Sequence, residues 1–558
     1  MHNVGTVLLL LCAVTFLTVA SRRFHVPYPT FMVLAGLAIA IIPGLPYIEL
    51  DPEIVFLMFL PPLLYGAAWE TSWKDFRANI RPISMLACGL IVVTTLSVGW
   101  VAHRLIEDLP WAAAFALGAI VSPPDAVAAT AVTRSLRVSR RISSILEGES
   151  LVNDATGLIA YRMATAAALT GLFSWEESVW RLFLAGGSVI LGLLVGNLVA
   201  RVHQMLDDPL IETTITLLTP FAAYLPAEAL GMSGVLATVT TGLYLRRRAA
   251  VLFSSATRLH ATAVWESLTF LVTGLTFILI GLQLPQVLHA LREEPLPRLI
   301  GSAVSIFLVT VLVRMLWVYP AAWLPWLLSR RIREQEPRPD HGELLVVGWA
   351  GMRGVVSLAA AMSLPVAAPH SVEFPKRDMI LFLVFTVILG TLVLQSLTLP
   401  WLIRRLKMSG EGQSPHEQEI DARLAALTAA TQYLEKSAGH AMRSPLEVEY
   451  LRAHFELQAS TLVSRMQWEH PEWEQPVVCQ TLVFGALHAQ RQKIQQLHDA
   501  GLLSDELLSK LERDIDLEET RLRSTTVTSQ QYPQGGIPLR DSSELCDERP
   551  DPFDYDAG

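Results

Sequence analysis

Residues 121–132 read VSPPDAVAATAV, an acidic residue set behind two prolines inside a stretch, 111–132, that carries no other charge. A stretch of that length and polarity is long enough to cross a hydrocarbon core of about 30 Å as a helix. Pro123 and Pro124 lack backbone N–H groups and disfavour helical geometry in the residue before each of them. A break is therefore predicted beside Asp125, with carbonyls left unpaired at mid-membrane. Such backbone is tolerated at membrane depth only where it is buried in protein or lines a cavity, and broken helices mark ion sites in transporters. Freed carbonyls and a carboxylate are the hard oxygen ligands that suit an alkali cation.

The rest of the chain has the same solvent. Of 558 residues 52% are hydrophobic and 17% charged, with a mean hydropathy of +0.40, against about 25% charged in soluble domains. A water-soluble globular enzyme is excluded. Apolar segments between polar breaks fall near 4–20, 28–43, 54–70, 82–102, 111–132, 143–171, 180–202, 210–227, 231–246, 261–283, 299–326, 343–365 and 378–403, thirteen in all. The expected fold is an all-α polytopic membrane protein. The first segment lacks a basic start and runs on into apolar sequence, so it reads as a retained span and not a cleaved signal.

Loop charge sets the orientation, because cytoplasmic loops keep an excess of Lys and Arg. The loops after odd-numbered spans, together with the residues after the last, hold 21 basic residues, among them Arg137, Arg140 and Arg141, and Arg246, Arg247 and Arg248; the loops after even-numbered spans hold six. The N-terminus is expected outside and the tail in the cytoplasm, in the inner (plasma) membrane. Residues 1–410 form the transmembrane unit. From 411 the chain carries 26 acidic and 13 basic residues. Helical spacing with proline breaks predicts a small cytoplasmic helical domain over 411–523, read as a solvated appendage with regulation or dimer contact as alternatives. Beyond it, 524–558 has the composition of a disordered acidic tail.

Two further spans concentrate charge at membrane depth, where each ionisable group costs about 2.5–3.5 kcal/mol and must be paired or used. Residues 146–161, LEGESLVNDATGLIAY, place Glu147, Ser150 and Asp154 on one helical face and Glu149 with Asn153 on the adjacent one. Asp154 with Ser150 makes a ligand pair that can trade a proton for a cation. Residues 346–365, VVGWAGMRGVVSLAAAMSLP, contain Arg353 as their one charge. It needs a carboxylate, and Glu149 or Glu147 is the natural candidate.

SPPDAVAATAV, EGESLVNDATGLI and GMRGVVSLAAA, with FLPPLLY at 59–65 and FILIGLQL at 277–284, resemble the sodium/proton exchangers of the monovalent cation:proton antiporter-1 family over residues 1 to about 410. The resemblance implies thirteen helices as two inverted six-helix repeats joined by one helix. The fifth and twelfth would be the unwound pair that cross. It further implies a homodimer, Asp154 as the residue that binds cation or proton, Asn153 as the neighbour that orients the site, Asp125 on the unwound segment, Ser150 as a hydroxyl ligand, and Glu149 with Arg353 as a buried ion pair. Two positions depart from the family pattern. Pro124 stands where many members carry Thr, removing a hydroxyl, and Gly66 stands where many carry an acid; Glu70, one turn on, is the candidate substitute, or a solvated membrane-edge residue.

The function expected is electroneutral exchange of cytoplasmic Na+ or Li+ for external H+, serving pH and sodium homeostasis, with K+/H+ exchange through the same ligands as the alternative. An intramembrane aspartyl protease built on Asp125 and Asp154 would resemble a Tyr-Asp and Gly-x-Gly-Asp pattern, which is absent. A channel would conduct without moving protons. Cys12, Cys88, Cys479 and Cys546 lack metal or disulfide spacing, the histidines lack ligand spacing, and the short basic clusters follow the membrane rule and do not suggest nucleic acid. No cofactor is expected.

Overall fold

Backbone groups in a bilayer must be satisfied within the segment, so apolar stretches become helices. In the computed structural model the described residues are 2–24, 26–40, 55–136, 138–291, 295–335, 338–365, 374–408 and 415–438, with short helical pieces between 449 and 518. All regular structure among them is helical. In chain order the elements are α1 (His2–Phe24), α2 (Tyr28–Ala40), α3 (Leu60–Glu70), α4 (Trp73–Ala78), α5 (Ile80–Leu105), α6 (Trp111–Val121), α7 (Ala126–Ser135), α8 (Arg140–Thr170) and α9 (Trp175–Gln204). They continue with α10 (Pro209–Ala229), α11 (Gly234–Leu252), α12 (Ser255–Ala290), α13 (Leu296–Leu328), α14 (Arg330–Gln335), α15 (His341–Trp349), α16 (Val355–Met362), α17 (Arg377–Arg405) and α18 (Pro415–Ala438).

Contacts divide the chain into two units, Met1–Gly412 and Gln413–Gly558. In the second, α18 is the longest described helix, and 524–558 lies outside the described residues. In the first, stretches of α5, α9, α10, α12, α13 and α17 are long and apolar enough to cross a membrane. The segment expected near 111–132 is two half-helices, α6 and α7, and that near 343–365 is likewise α15 and α16. The break in the first follows Pro123 and Pro124; in the second it falls at 350–354, within Ala-Gly-Met-Arg-Gly.

Burial sorts the helices. α8 lies at the centre against α5, α6 and α7, and Leu117, Ile120, Val121, Leu151 and Ala155 are buried there. α9 presents an apolar outer face in which Ile190, Leu194 and Leu198 are exposed, as expected of a surface whose solvent is lipid. The polar ends carry capping groups: Asp208 accepts from the Leu210 amide at 2.8 Å to start α10, and Asp340 from the Glu343 amide at 3.0 Å to start α15. Each satisfies one of the N–H groups a helix start leaves orphaned.

Candidate functional site

The two backbone breaks meet and are bonded to each other. The Asp125 amide donates to the Met352 carbonyl at 2.6 Å, and Arg353 Nε donates to the Val121 carbonyl at 2.9 Å. Four helix ends thereby converge inside the membrane, each with backbone groups that no intrahelical partner reaches. One anion serves the two N-terminal ends. The Asp125 carboxylate accepts from the Val127 amide at 2.8 Å and from the amides of Ala128 and Val355, on α7 and α16, where partial positive charge gathers.

Arg353 is the counterpart at the negative ends. Besides the Val121 carbonyl that closes α6, its guanidinium donates to the Gly351 carbonyl just past α15, and its amide donates to the Thr391 hydroxyl at 3.1 Å. A fixed cation on two C-termini and a fixed anion on two N-termini remove orphan groups that would each cost several kcal/mol in hydrocarbon. Glycine lets the crossing close. A Cβ added at Gly354 would overlap the Asp125 carboxylate, and one at Gly351 would run into the side chains of Arg314 and Arg353.

Beside the crossing lies a cavity of about 240 Å³ lined by Pro124, Asp125, Glu147, Ser150 and Asp154, with Glu70 from the end of α3. The spacing read from α8 therefore describes the wall: Glu147, Ser150 and Asp154 face the cavity, while Glu149 and Asn153 are buried on the other side and do not line it. Asn153 is fully buried, and neither atom of its amide has a hydrogen-bond partner among the described residues. Glu70 is exposed. The two aspartates differ in commitment. Asp125 is spent on helix ends, whereas Asp154, 7% exposed, makes no hydrogen bond or ion pair among the described residues. Its carboxylate is the acidic group of the crossing left to take a proton or a cation.

The expected Glu149–Arg353 pair is not formed. Glu149 accepts from Arg314 Nη1 at 2.5 Å and from Nη2 at 2.9 Å, and Arg314 Nη2 also donates to the Val347 carbonyl at 3.1 Å. The physical reason is that Arg353 turns Nε and Nη1 to carbonyls of the two breaks, with Nη2 left without a hydrogen-bond partner among the described residues, while the Glu149 carboxylate is taken by the fork of Arg314. Arg314 sits at mid-length in α13, the one charge in 299–326. The rule that every intramembrane charge must be paired or used would have singled it out, and its fork geometry matches the bidentate contact found. Sequence reasoning also passed over Thr273 of α12 and Ser357 of α16, which line the cavity. Neither carries charge, and hydroxyls inside helices are too common to stand out.

Comparison with known proteins gives the family and the fold. Residues 7–405 match the family described as "Sodium/hydrogen exchanger, transmembrane". The chain is 32% identical over 519 residues to an uncharacterized Na(+)/H(+) exchanger of Mycobacterium bovis, covering 92% of this chain and 95% of that one. It is 33% identical over 410 residues to the sodium, potassium, lithium and rubidium/H(+) antiporter of Bacillus pumilus, covering 71% and 60% respectively. Its fold superposes on the sodium proton antiporter MjNhaP1 of Methanocaldococcus jannaschii with a TM-score of 0.56 at 21% identity, over 74% of this chain and 99% of that one.

Proposed function

The chain belongs to the sodium/hydrogen exchanger family, multi-pass membrane proteins that are secondary transporters and not enzymes, and on that premise we propose that it exchanges cytoplasmic Na+ or Li+ for external H+ through Asp154. The observation that carries the reading is the contrast between the two aspartates on one cavity, Asp125 bonded to helix ends and Asp154 unengaged. Asp154 takes either a proton or a cation. Ser150, Asp125 and the backbone at Pro124 supply further oxygen, and Asn153 supports the site from the buried face of α8. Only the loaded forms pass between inward-facing and outward-facing states. With one carboxylate changing hands, one proton replaces one monovalent cation and no net charge moves.

The wider setting belongs to the same proposal. The protein sits in the plasma membrane of the cell with thirteen crossings in two inverted repeats, its N-terminus outside and its tail inside, as the 21 basic residues of alternate loops support. It works as a homodimer in sodium and pH homeostasis. A second reading, K+/H+ exchange at the same site, is favoured by one observation: a relative of 33% identity is named for sodium, potassium, lithium and rubidium alike.

The test is recovery of a pH-sensitive dye in everted vesicles on addition of sodium, lithium or potassium, for the wild type and Asp154→Asn. Collapse of the pH gradient by sodium or lithium, lost in the variant, is the expected result. Collapse by potassium alone selects the second reading. An active Asp154→Asn protein overturns both.

A further inference from the structure

Most helix hydroxyls in this protein bond to the carbonyl one turn back: Thr156 to Val152 at 3.0 Å, Thr276 to Val272 at 2.6 Å and Thr310 to Ile306 at 2.7 Å. Ser357 and Thr273 do not. Each is 1% exposed, and each hydroxyl is buried with no hydrogen-bond partner among the described residues. Of the buried hydroxyls in that condition, these two alone line the Asp154 cavity. A buried hydroxyl without a partner is costly, and these reach the cavity from two elements other than α8: the half-helix α16 and the unbroken helix α12. With α8 they wall the cavity in which a cation held by Asp154 has to find oxygen.

The rest of the wall carries hydroxyls as well, on Tyr28, Thr130, Ser150 and Thr269, but none of these is a buried oxygen left without a hydrogen-bond partner among the described residues. Pro124 brings a carbonyl but no hydroxyl, and the remaining lining is largely apolar, with Leu60, Leu64 and Phe277 among it. A cation that sheds its water needs replacement oxygens whose number and field decide which ion is preferred.

Resting on the reading of Asp154 as the exchange site, we propose that the Ser357 and Thr273 hydroxyls are further ligands of the transported monovalent cation, completing its shell from elements other than α8. They bind the cation and not the proton, because a proton on Asp154 needs no coordination shell. Their loss therefore weakens cation affinity and alters the preference among ions, while turnover and the proton branch stay close to wild type.

The experiment is sodium, lithium and potassium titration of exchange in everted vesicles for Ser357→Ala, Thr273→Val and the rescue variants Ser357→Thr and Thr273→Ser, with membrane content and thermal stability of each measured. The expected result is a rise of about tenfold in the sodium KM for Ser357→Ala and Thr273→Val, equal to about 1.4 kcal/mol. With it come unchanged maximal rate, an altered lithium-to-sodium ratio, and recovery in the hydroxyl-retaining variants. Unchanged KM and ion ratio in stable Ser357→Ala and Thr273→Val proteins overturn the ligand role while Asp154 exchange stands. So does loss that the hydroxyl-retaining variants fail to recover. Full activity of Asp154→Asn in the same vesicles removes the exchange site itself, and the ligand role with it.

Discussion

Replacing Glu149 separates the pairing found here from the one expected by resemblance. Its carboxylate and the Arg314 guanidinium are 1% and 0% exposed and share two bonds at 2.5 and 2.9 Å. Glu149→Gln leaves a buried guanidinium with neutral acceptors alone, the new amide oxygen and the Val347 carbonyl, and Arg314→Met leaves a carboxylate buried without its donor. Breaking a buried pair from either side costs about 3–5 kcal/mol. Removing both charges, as in Glu149→Leu with Arg314→Met, lifts most of that penalty, so the two changes are strongly non-additive, with a coupling of at least about 3 kcal/mol. Arg353 shares no hydrogen bond with Glu149 and is held by Val121 and Gly351. The cycle of Glu149→Gln with Arg353→Met should then give a coupling below about 1 kcal/mol. The assay is reversible unfolding in mixed micelles followed by tryptophan fluorescence, for both cycles side by side. A larger coupling to Arg353 than to Arg314 would refute the assignment.

Three further outcomes follow from the same geometry. Gly354→Ala, whose Cβ would overlap the Asp125 carboxylate, should lower exchange by about a hundredfold, since small misplacements at a reacting centre cost that much; wild-type rates in everted vesicles would show that the crossing can open to admit it. If proton and cation compete for Asp154, the apparent sodium KM should rise about tenfold for each unit of falling pH once the carboxyl is mostly protonated, at constant maximal rate; a flat KM with a falling maximal rate would place the proton elsewhere. Arg140 bonds Asp75 at 2.9 Å but is 79% exposed, so Arg140→Ala should change stability by less than about 1 kcal/mol, and a larger loss in the same unfolding assay would contradict that.

Much of the site was legible because the membrane makes charge expensive. Pro123, Pro124 and Asp125 announced a break, and the three- and four-residue spacing of Glu147, Ser150 and Asp154 named the face of α8 that turns to the cavity. Arg314 was legible by the same rule, as a single charge in an apolar span, though no motif surrounds it. The partner of Arg353 was not legible. Composition says only that a buried guanidinium needs acceptors, and it does not say that backbone carbonyls freed by two breaks will serve in place of a carboxylate.

Local sequence, then, determined what each segment is: a helix where apolar residues run for about 20 positions, a break where two prolines stand, a polar face where the spacing repeats. Those are properties of neighbours along the chain, set by backbone sterics and by the cost of exposing peptide groups to lipid. Which break crosses which was decided only by tertiary structure. So were the assignment of Asp125 to helix ends while Asp154 is left unengaged, the pairing of Glu149 with Arg314, and the arrival of Ser357 and Thr273 on one cavity. Each depends on residues up to more than 200 positions apart, and on whether a carbonyl or a carboxylate reaches a donor first, which packing settles and spacing does not.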